Sequence, residues 1–376
     1  MKHIMVITTS FPSSAFIDGQ EAAGSFVYDF VHELAQYVKV TVIAPGNKNF
    51  IEQDGQVVIK HFYAPTQPLS LLKPTNPLDW LPIFQTIASG QQAVMNVANS
   101  GKVDHIFALW ALPSGYWAKK ASEKYNIPYS IWALGSDIWT LGKTPLVKNV
   151  LKDVLKHSRY CFADGYKLAD DVTNISGKLC RFLPSSRKLP IINTKKLASA
   201  PPYKLAFLGR WHSNKGIDLL FESLNLLSEE DWQQITEVRI YGGGPLEKLV
   251  KTEGLKLKQK GRPVTIGGYL NKEEATQLYL WTDYLLIPSR VESIPVVFSD
   301  AMKTLCPIIA CPTGDIPILM SQYNIGVLTS AINVPSIVVA IQMATHSSPE
   351  IYKNGLIKLV QDFDIETCAL CLISIF

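Results

Sequence analysis

Short apolar runs alternate with helix-like segments along most of the chain, and this alternation restricts the fold more than any other feature. The first run, residues 4–7, is followed by a helical pattern over residues 24–37 and then by a second apolar run, 38–45. Such alternation is typical of β-α-β units, in which parallel strands form a sheet that helices cover. The sequence therefore predicts an α/β protein built from doubly wound parallel sheets.

A break in the alternation divides the chain into two parts. Further strands are predicted at residues 57–62, 105–110, 129–134 and 160–163, and a second series begins at residue 204 and continues at 238–242, 264–267, 283–287 and 307–310. Between the two series, four prolines interrupt regular structure: Pro184, Pro190, Pro201 and Pro202. We predict an N-terminal domain over residues 1–183, a linker over 184–203 and a C-terminal domain over 204–376, since 376 residues suffice for two cores.

The composition is that of a globular protein. Hydrophobic residues make up 47% of the chain and charged residues 18%. No apolar run approaches the ~18 residues that cross a bilayer, and residues 4–7 form a first strand, not a signal peptide. The six cysteines are scattered, and Cys368-x2-Cys371 lacks the further ligands of a zinc site. We therefore expect a cytoplasmic protein with reduced thiols.

The charge is mild and unevenly distributed. A net charge of +4 argues against nucleic acid as a partner. Basic residues concentrate in two segments, residues 248–262 and residues 148–159. These segments are either solvated helix faces or surfaces that attract an anionic bilayer.

Two cations flank one strand-to-helix turn in the second half of the chain. An apolar strand ends at Gly209-Arg210, a polar loop follows, and Lys215-Gly216 opens a helix. The apolar positions of that helix recur at helical spacing: Ile217, Leu220, Phe221 and Leu224. An arginine fork binds paired oxygens and a lysine acts as a point charge, so the turn predicts a phosphate site.

Two carboxylates, Glu292 and Asp300, stand eight residues apart in the segment P-S-R-V-E-S-I-P-V-V-F-S-D, which begins at Pro288. A helix that begins near Pro295 would direct both towards one ligand, because eight residues are a little over two helical turns. The amides of the first helical turn favour an anion. We therefore predict that this segment contacts a bound anionic ligand.

Taken together, these segments resemble a known family. G-R-x4-K-G at Gly209, a G-x-G-P turn at Gly242 and E-x7-E within P-S-x-x-E at Pro288 follow the order found in retaining glycosyltransferases of family 4, here with Asp300 in place of the second Glu. The likeness covers most of the chain, residues 5–328. It implies the GT-B architecture, in which two doubly wound, Rossmann-like domains face each other across a cleft. The N-terminal domain would bind the acceptor and the C-terminal domain a nucleotide sugar.

The resemblance also implies roles for the matching residues. Arg210 and Lys215 would hold the donor diphosphate. Glu292 would lie against the donor sugar, while Asp300, one methylene shorter than Glu, would accept the ribose hydroxyls. Asp137, which closes W-A-L-G-S-D, would help to orient the sugar, so Glu292 and Asp137 are the candidate catalytic residues. The full donor-binding set is Gly24, Gly209, Arg210, Lys215, Gly268, Tyr269, Leu270, Ile294, Val296 and Asp300. Within this set, the resemblance implies that the segment Gly268, Tyr269 and Leu270 contacts the base of the donor.

Parts of the N-terminal half depart from the family pattern. Phe107 and Leu109 stand where the family commonly has His, and Leu134 replaces the His that contacts the donor sugar. In the glycine-bearing loop, residues 11–24, only Gly19 and Gly24 are present in place of the usual Gly-Gly. Three interpretations remain open: transfer in which the leaving phosphate acts as the base, a donor-binding subunit without turnover, or a non-hydrolysing sugar-nucleotide epimerase.

We expect a retaining transfer of a sugar from a nucleotide sugar to a glycan or lipid-linked acceptor, in surface polysaccharide or glycolipid synthesis. The enzyme would be cytoplasmic, at the inner face of the membrane. No metal or other cofactor is expected, because the D-x-D at Asp362-Phe363-Asp364 follows no nucleotide-binding strand. In the family the last helix packs on the first domain; residues 362–376 are short and apolar, so either this helix is abbreviated or the reading frame ends early.

Overall fold

The structure, a computed structural model, describes residues 1–12, 24–66, 72, 76–140, 142, 145–192 and 194–376. These residues form two compact units, one of Met1–Lys188 with Ile365–Phe376 and the other of Leu189–Asp364. Each unit has a central, mainly parallel sheet with helices packed against it, which confirms the predicted fold class. No helix in the described part is long and apolar enough to span a membrane.

The strands follow the predicted positions closely. Those of the first unit are β1 (His3–Ile7), β2 (Lys39–Gly46), β3 (Phe50–Asp54), β4 (Val57–Tyr63), β5 (His105–Leu109), β6 (Tyr129–Ala133), β7 (Tyr160–Ala163) and β8 (Cys180–Phe182). Those of the second unit are β9 (Tyr203–Arg210), β10 (Ile235–Gly243), β11 (Val264–Gly267), β12 (Tyr284–Ile287), β13 (Ile308–Ala310) and β14 (Gly326–Leu328).

Helices connect these strands. In the first unit they are α1 (Ser25–Leu34), α2 (Trp80–Ala98), α3 (Ser114–Tyr125), α4 (Ser136–Trp139), α5 (Pro145–His157) and α6 (Tyr166–Ser176). The second unit contains α7 (Ile217–Leu226), α8 (Glu229–Gln233), α9 (Glu247–Gln259), α10 (Lys272–Trp281), α11 (Val296–Lys303), α12 (Ile316–Tyr323), α13 (Val334–Thr345) and α14 (Lys353–Leu359). The last helix, α15 (Ile365–Ser374), belongs to the first unit.

The first unit is a sheet between two helical layers. The strand order is β3-β4-β2-β1-β5-β6-β7-β8, and every neighbouring pair is parallel except the β3-β4 hairpin. Helices α2, α3, α5 and α6 contact one another in turn and bury one side of the sheet through Val94, Trp117, Leu151 and Leu168. The opposite side is covered by α1, whose Phe30 packs on Phe107 and Trp132, and α15 packs on α1.

The second sheet is wholly parallel, in the order β11-β10-β9-β12-β13-β14. The chain builds outwards from β9 to β11 and then returns to place β12 on the other side of β9. The direction of winding therefore reverses between β9 and β12. Sheets of this type bind ligands at the carboxyl ends of the strands at such a reversal. The turn after Arg210 and the loop before α11 both lie at that edge.

Three strands were not predicted. The antiparallel β3 pairs with β4 across the two-residue loop Gly55-Gln56, and the dipeptide Asp54-Gly55 that enters the loop is itself a hairpin signal. The strands β8 and β14 are only three residues long, which is too short to show a pattern.

The division into units also differs from the predicted domains. Residues 365–376, which fall in the predicted C-terminal domain over 204–376, group with the first unit because α15 packs on α1 and buries Cys368, Ala369 and Leu372 there. Residues 189–203 of the predicted linker group with the second unit. In this segment, Lys195 donates hydrogen bonds from Nζ to the carbonyls of Tyr279 and Thr282, at 2.8 and 2.6 Å.

Candidate functional site

The turn between β9 and α7 is fixed by the glycine at its end. A single 3-10 turn, Ser213–Lys215, follows the strand, and Gly216 has a φ of +67°. A Cβ at this position would lie 1.9 Å from the carbonyl oxygen of Pro288. Only glycine therefore allows the β9–α7 turn to approach the loop that follows β12.

This close approach brings together two residues that the sequence placed in different motifs. Lys215 Nζ donates a hydrogen bond to Glu292 Oε1, and the two side chains are 34% and 11% exposed. Ser289 Oγ donates to the same carboxylate oxygen at 3.0 Å, and the backbone N–H of Glu292 donates to Thr313 Oγ1 at 3.1 Å. The candidate phosphate ligand and the candidate sugar ligand thus form one pair, held by two hydroxyl side chains that the sequence analysis did not single out.

A second ion pair clamps the same two loops. The Arg290 guanidinium donates to both carboxylate oxygens of Asp218, at 2.8 and 2.7 Å, and to the carbonyl of Ser213 at 2.6 Å. The backbone N–H of Arg290 also donates to the carbonyl of Asn214 at 2.7 Å. Bidentate pairing of this kind restrains the geometry of both partners. The sequence analysis did not identify Arg290, because nothing in P-S-R-V-E shows which carboxylate this arginine will contact.

The carboxyl ends of β9, β10 and β11 meet at the glycine turn. Gly242 has a φ of +146°, and a Cβ on it would lie 1.9 Å from the carbonyl oxygen of Gly209. Its N–H donates to the carbonyl of Gly268 at 3.0 Å. The ring of Tyr269 lies against Gly243, where a Cβ would approach the ring to 2.4 Å. The predicted diphosphate and base segments are therefore neighbours at one sheet edge.

His212 adds to the electrostatic character of this edge. Its Nδ1 accepts a hydrogen bond from the Asn214 N–H at 3.1 Å, so Nε2 carries the proton of the neutral ring. Burial and the positive charges of Arg210 and Lys215 lower the pKa of His212. A histidine whose charged form is disfavoured by two cations marks a region of positive potential, which suits a diphosphate.

The carboxylates Glu292 and Asp300 lie in different surroundings. Helix α11 begins at Val296, directly after Pro295, as predicted, and Ile294 is buried just before it. Asp300 is fully buried within α11 and accepts a hydrogen bond from the Tyr279 hydroxyl at 3.3 Å. Its assignment to the ribose hydroxyls remains a prediction. Leu270, in the candidate base segment, is partly buried just after Tyr269.

In the first unit, Asp137 joins two loops. The residue is 1% exposed, and its Oδ2 accepts from the Ala111 N–H at 2.6 Å while Oδ1 accepts from the Leu134 N–H at 3.2 Å. Burial raises the pKa of Asp137 to about 6, although these backbone hydrogen bonds act in the opposite direction. The carboxylate therefore organises the carboxyl ends of β5 and β6.

The other candidate positions of the first unit have structural surroundings. Phe107 and Leu109 are fully buried in β5, where side chains form the core of the sheet. Gly24 directly precedes α1, and a Cβ on it would meet the backbone of Phe11 at 3.0 Å. Gly19 lies outside the described residues.

Comparisons with known proteins agree with the motifs. Residues 202–346 match the family model described as Glycosyl transferases group 1. The chain is similar to the putative teichuronic acid biosynthesis glycosyltransferase TuaC of Bacillus subtilis (strain 168), with 25% identity over 353 residues, which cover 85% of this chain and 84% of that protein.

Solved structures share the fold at low sequence identity. Sucrose-phosphate synthase from Thermosynechococcus elongatus superposes with a TM-score of 0.75 and 16% identity over 100% of this chain and 98% of its own. Anabaena HepE in complex with UDP-glucose superposes with a TM-score of 0.70 and 16% identity over 100% of this chain and 99% of its own. The chain thus has the GT-B fold, and its glycosyl transferases group 1 segment and its glycosyltransferase relatives support a transferase enzyme.

Proposed function

We propose that the protein transfers a sugar, with retention of configuration and without a metal ion, from a nucleotide sugar to a glycan or lipid-linked acceptor in surface polysaccharide or glycolipid synthesis. The observation that carries the proposal is the Lys215–Glu292 pair at the point where the second sheet reverses its winding. It sets a cation suited to phosphate beside a carboxylate suited to sugar hydroxyls.

In this proposal the Lys215–Glu292 pair has a role both before and after the donor binds. When the bond between sugar and diphosphate breaks, negative charge grows on the leaving phosphate. Arg210, Lys215 and the first-turn amides of α11, near Ile294 and Val296, would stabilise that charge. In exchanging Glu292 for phosphate oxygens, Lys215 would release the carboxylate to accept hydrogen bonds from the donor sugar.

In this proposal, retention of configuration follows from the positions of the acceptor hydroxyl and the leaving phosphate. Leu134 offers no group that can take a proton, so the acceptor hydroxyl would lose its proton to an oxygen of the leaving phosphate on the same face of the sugar. Asp137 would contribute by holding the loops at Ala111 and Leu134, since its carboxylate oxygens are engaged by their amides.

The relatives indicate which substrates to try first. HepE was solved with UDP-glucose, so we propose a UDP-sugar as the donor. TuaC is described as a teichuronic acid biosynthesis enzyme, which favours a growing polysaccharide as the acceptor. If Asp300 accepts the ribose hydroxyls, 2′-deoxy-UDP will bind more weakly than UDP, whereas equal affinities would exclude that contact.

The decisive experiment incubates the purified protein with radiolabelled UDP-sugars and a membrane extract and follows label into glycan or lipid. We expect transfer by the parent in excess chelator, and turnover at least about tenfold lower in Glu292→Gln with UDP affinity little changed. Glu273→Gln, an exposed substitution on α10, is the control. Donor binding without transfer by the parent would leave only a donor-binding role, and a need for added manganese would refute metal independence.

A further inference from the structure

Large apolar side chains are exposed where α2 begins. Leu78 is 84% exposed, Leu81 65% and Phe84 69%, and Trp80 between them is 61% exposed. We call these four residues the α2 apolar patch. Helix α2 contains no charged residue along its entire length, and its buried residues start only at Thr86. Grouped exposed apolar side chains of this size mark an interaction surface.

The helices beside α2 carry a strong positive charge. α3 and α5 follow α2 in the same layer and together contain six lysines against two acidic residues, Glu123 and Asp153. Their excess of four positive charges equals the net charge of the whole chain, +4. Lys119, 11% exposed, pairs with Glu123 and Asp153, and Lys120 pairs with Glu123. The exposed lysines are Lys124, Lys148, Lys152 and Lys156. Apolar and basic surfaces are therefore neighbours on one face of the unit.

The position of the patch relates it to the acceptor side of the proposed reaction. α2 leads from β4 to β5, and both strands run parallel to β1 and β2. The helix must therefore begin at the carboxyl edge of the sheet and run back towards the amino edge. Asp137 and the start of α1 at Gly24 lie at this same carboxyl edge, after β6 and β1 respectively.

We propose that the α2 apolar patch inserts into the headgroup region of an anionic phospholipid bilayer while the exposed lysines of α3 and α5, Lys124, Lys148, Lys152 and Lys156, contact its lipid phosphates. A bilayer is the partner that fits, because one continuous surface supplies both an apolar layer and uniform negative charge. Trp, Phe and Leu are side chains that bury at this interface. This membrane contact rests on the proposed function. It specifies the acceptor as a lipid-linked saccharide, which the bilayer would present beside the carboxyl edge of the first sheet.

Vesicle sedimentation tests the membrane contact without any nucleotide sugar. The parent protein should sediment with phosphatidylcholine vesicles that contain phosphatidylglycerol. Its partition coefficient should fall at least about tenfold in Leu78→Ser/Leu81→Ser/Phe84→Ser, because apolar burial is lost. The control Val339→Ser/Met343→Ser changes two side chains on α13 that are 52% and 56% exposed, and should bind like the parent.

A variant with fewer lysines separates the electrostatic contribution to membrane binding from the apolar one. Lys148→Gln/Lys152→Gln/Lys156→Gln, on exposed positions of α5, should weaken binding to anionic vesicles, and added salt should weaken binding by the parent in the same way. Unchanged melting temperatures will show that the variants are folded, as expected for exposed positions.

Three results would overturn the inference. Equal vesicle binding by the parent and the triple serine variant would exclude the α2 apolar patch as the membrane contact. A parent dimer that the triple serine variant converts to monomer, with no vesicle binding by either, would make the patch an interface between two copies. Equal transfer of label into a water-soluble glycan by both proteins would refute the lipid-linked acceptor, while retained UDP binding and transfer would leave the proposed function standing.

Discussion

Arg210 and Lys215 differ in their surroundings, and the difference predicts how each supports donor binding. Lys215 is paired with Glu292. Arg210 lies beside His212, whose pKa is lowered by burial and by this positive charge, and beside Tyr269, whose pKa is raised by burial although the charge of Arg210 acts in the opposite direction. Removing Lys215 would leave the Glu292 carboxylate uncompensated next to the phosphates. The unpaired carboxylate would then repel the phosphates of UDP.

We therefore predict a particular pattern of UDP affinities. Arg210→Ala and Lys215→Ala should each weaken UDP binding by ~1.5–3 kcal/mol, measured by calorimetry, because each removes a charge-assisted hydrogen bond. Adding Glu292→Gln to Lys215→Ala should restore part of the loss. Lys251→Ala, at a lysine 67% exposed and paired with Glu247, is the control and should change nothing. A double variant weaker than Lys215→Ala alone would contradict the proposed pairing.

Asp137 has surroundings that the sequence did not reveal, because its carboxylate is buried and accepts hydrogen bonds from two backbone amides. An Asn at this position could not accept from both the Ala111 and Leu134 amides, because its NH2 group would face an N–H donor. We predict that Asp137→Asn lowers the free energy of unfolding by ~1–3 kcal/mol at pH 7, the usual cost of an unsatisfied buried group. Urea unfolding measures this, and unchanged stability would show that the hydrogen bonds contribute nothing.

The same variant should alter the pH dependence of stability. Because the pKa of Asp137 is raised from 3.8 to about 6, the folded protein binds more protons than the unfolded chain between these values. The proton-linked part of this residue's contribution to stability is therefore fully present below pH 3.8 and is lost as the pH rises to about 6, whereas the part due to its backbone hydrogen bonds remains at pH 7. In Asp137→Asn that decline should be absent. An identical pH profile in both proteins would mean that the pKa is not raised.

At the scale of elements, the β9–α7 turn is the feature on which the site depends. We predict that Gly216→Ala strongly lowers both stability and UDP affinity, because its Cβ would lie 1.9 Å from the Pro288 oxygen and force apart the loops that carry Lys215 and Glu292. Gly261→Ala is a matched control with a φ of +74° and no atom within 4 Å of the added Cβ. Gly261→Ala should lower the free energy of unfolding by only ~1–2 kcal/mol, the cost of a side chain on a left-handed backbone, and should leave UDP binding intact. Similar UDP affinities in both variants would show that the close approach is not needed.

The elements that the sequence predicts well are those whose signals are local. The strand β9, the helix α7 and the start of α11 follow from apolar periodicity, glycine and proline, and the structure confirms each of them. What could not be predicted depends on distant partners. Nothing near Asp300 in sequence shows that Tyr279 will cover it, and nothing near Arg290 selects Asp218. Neither the contact of Asp137 with Ala111 nor its burial can be inferred from W-A-L-G-S-D, and its role in orienting the sugar stays a prediction.

At the scale of the whole molecule, the chain leaves the first unit near residue 188 and returns to it at residue 365. The return is made by α15, whose buried residues pack with α1, and Phe376 stacks on the His105 ring with 3.7 Å between ring centroids. The apolar residues of α15 therefore pack within the first unit. The apolar character of this segment agrees with its contacts: Cys368, Ala369 and Leu372 are buried, and Phe376 contacts the rings of His105 and Phe107.

This path predicts where a core substitution at the end of the chain will act. Leu372→Ala should destabilise the protein by ~2–5 kcal/mol, because Leu372 is fully buried in α15, whereas Leu370→Ala, 44% exposed in the same helix, should have little effect. Hydrogen exchange should show the loss of protection in α1 and β5 of the first unit. Because α15 folds with residues 1–188, β9–β14 should stay protected and UDP affinity unchanged. Faster exchange in β9–β14 with no change in α1 would mean that residues 365–376 stabilise the second unit instead.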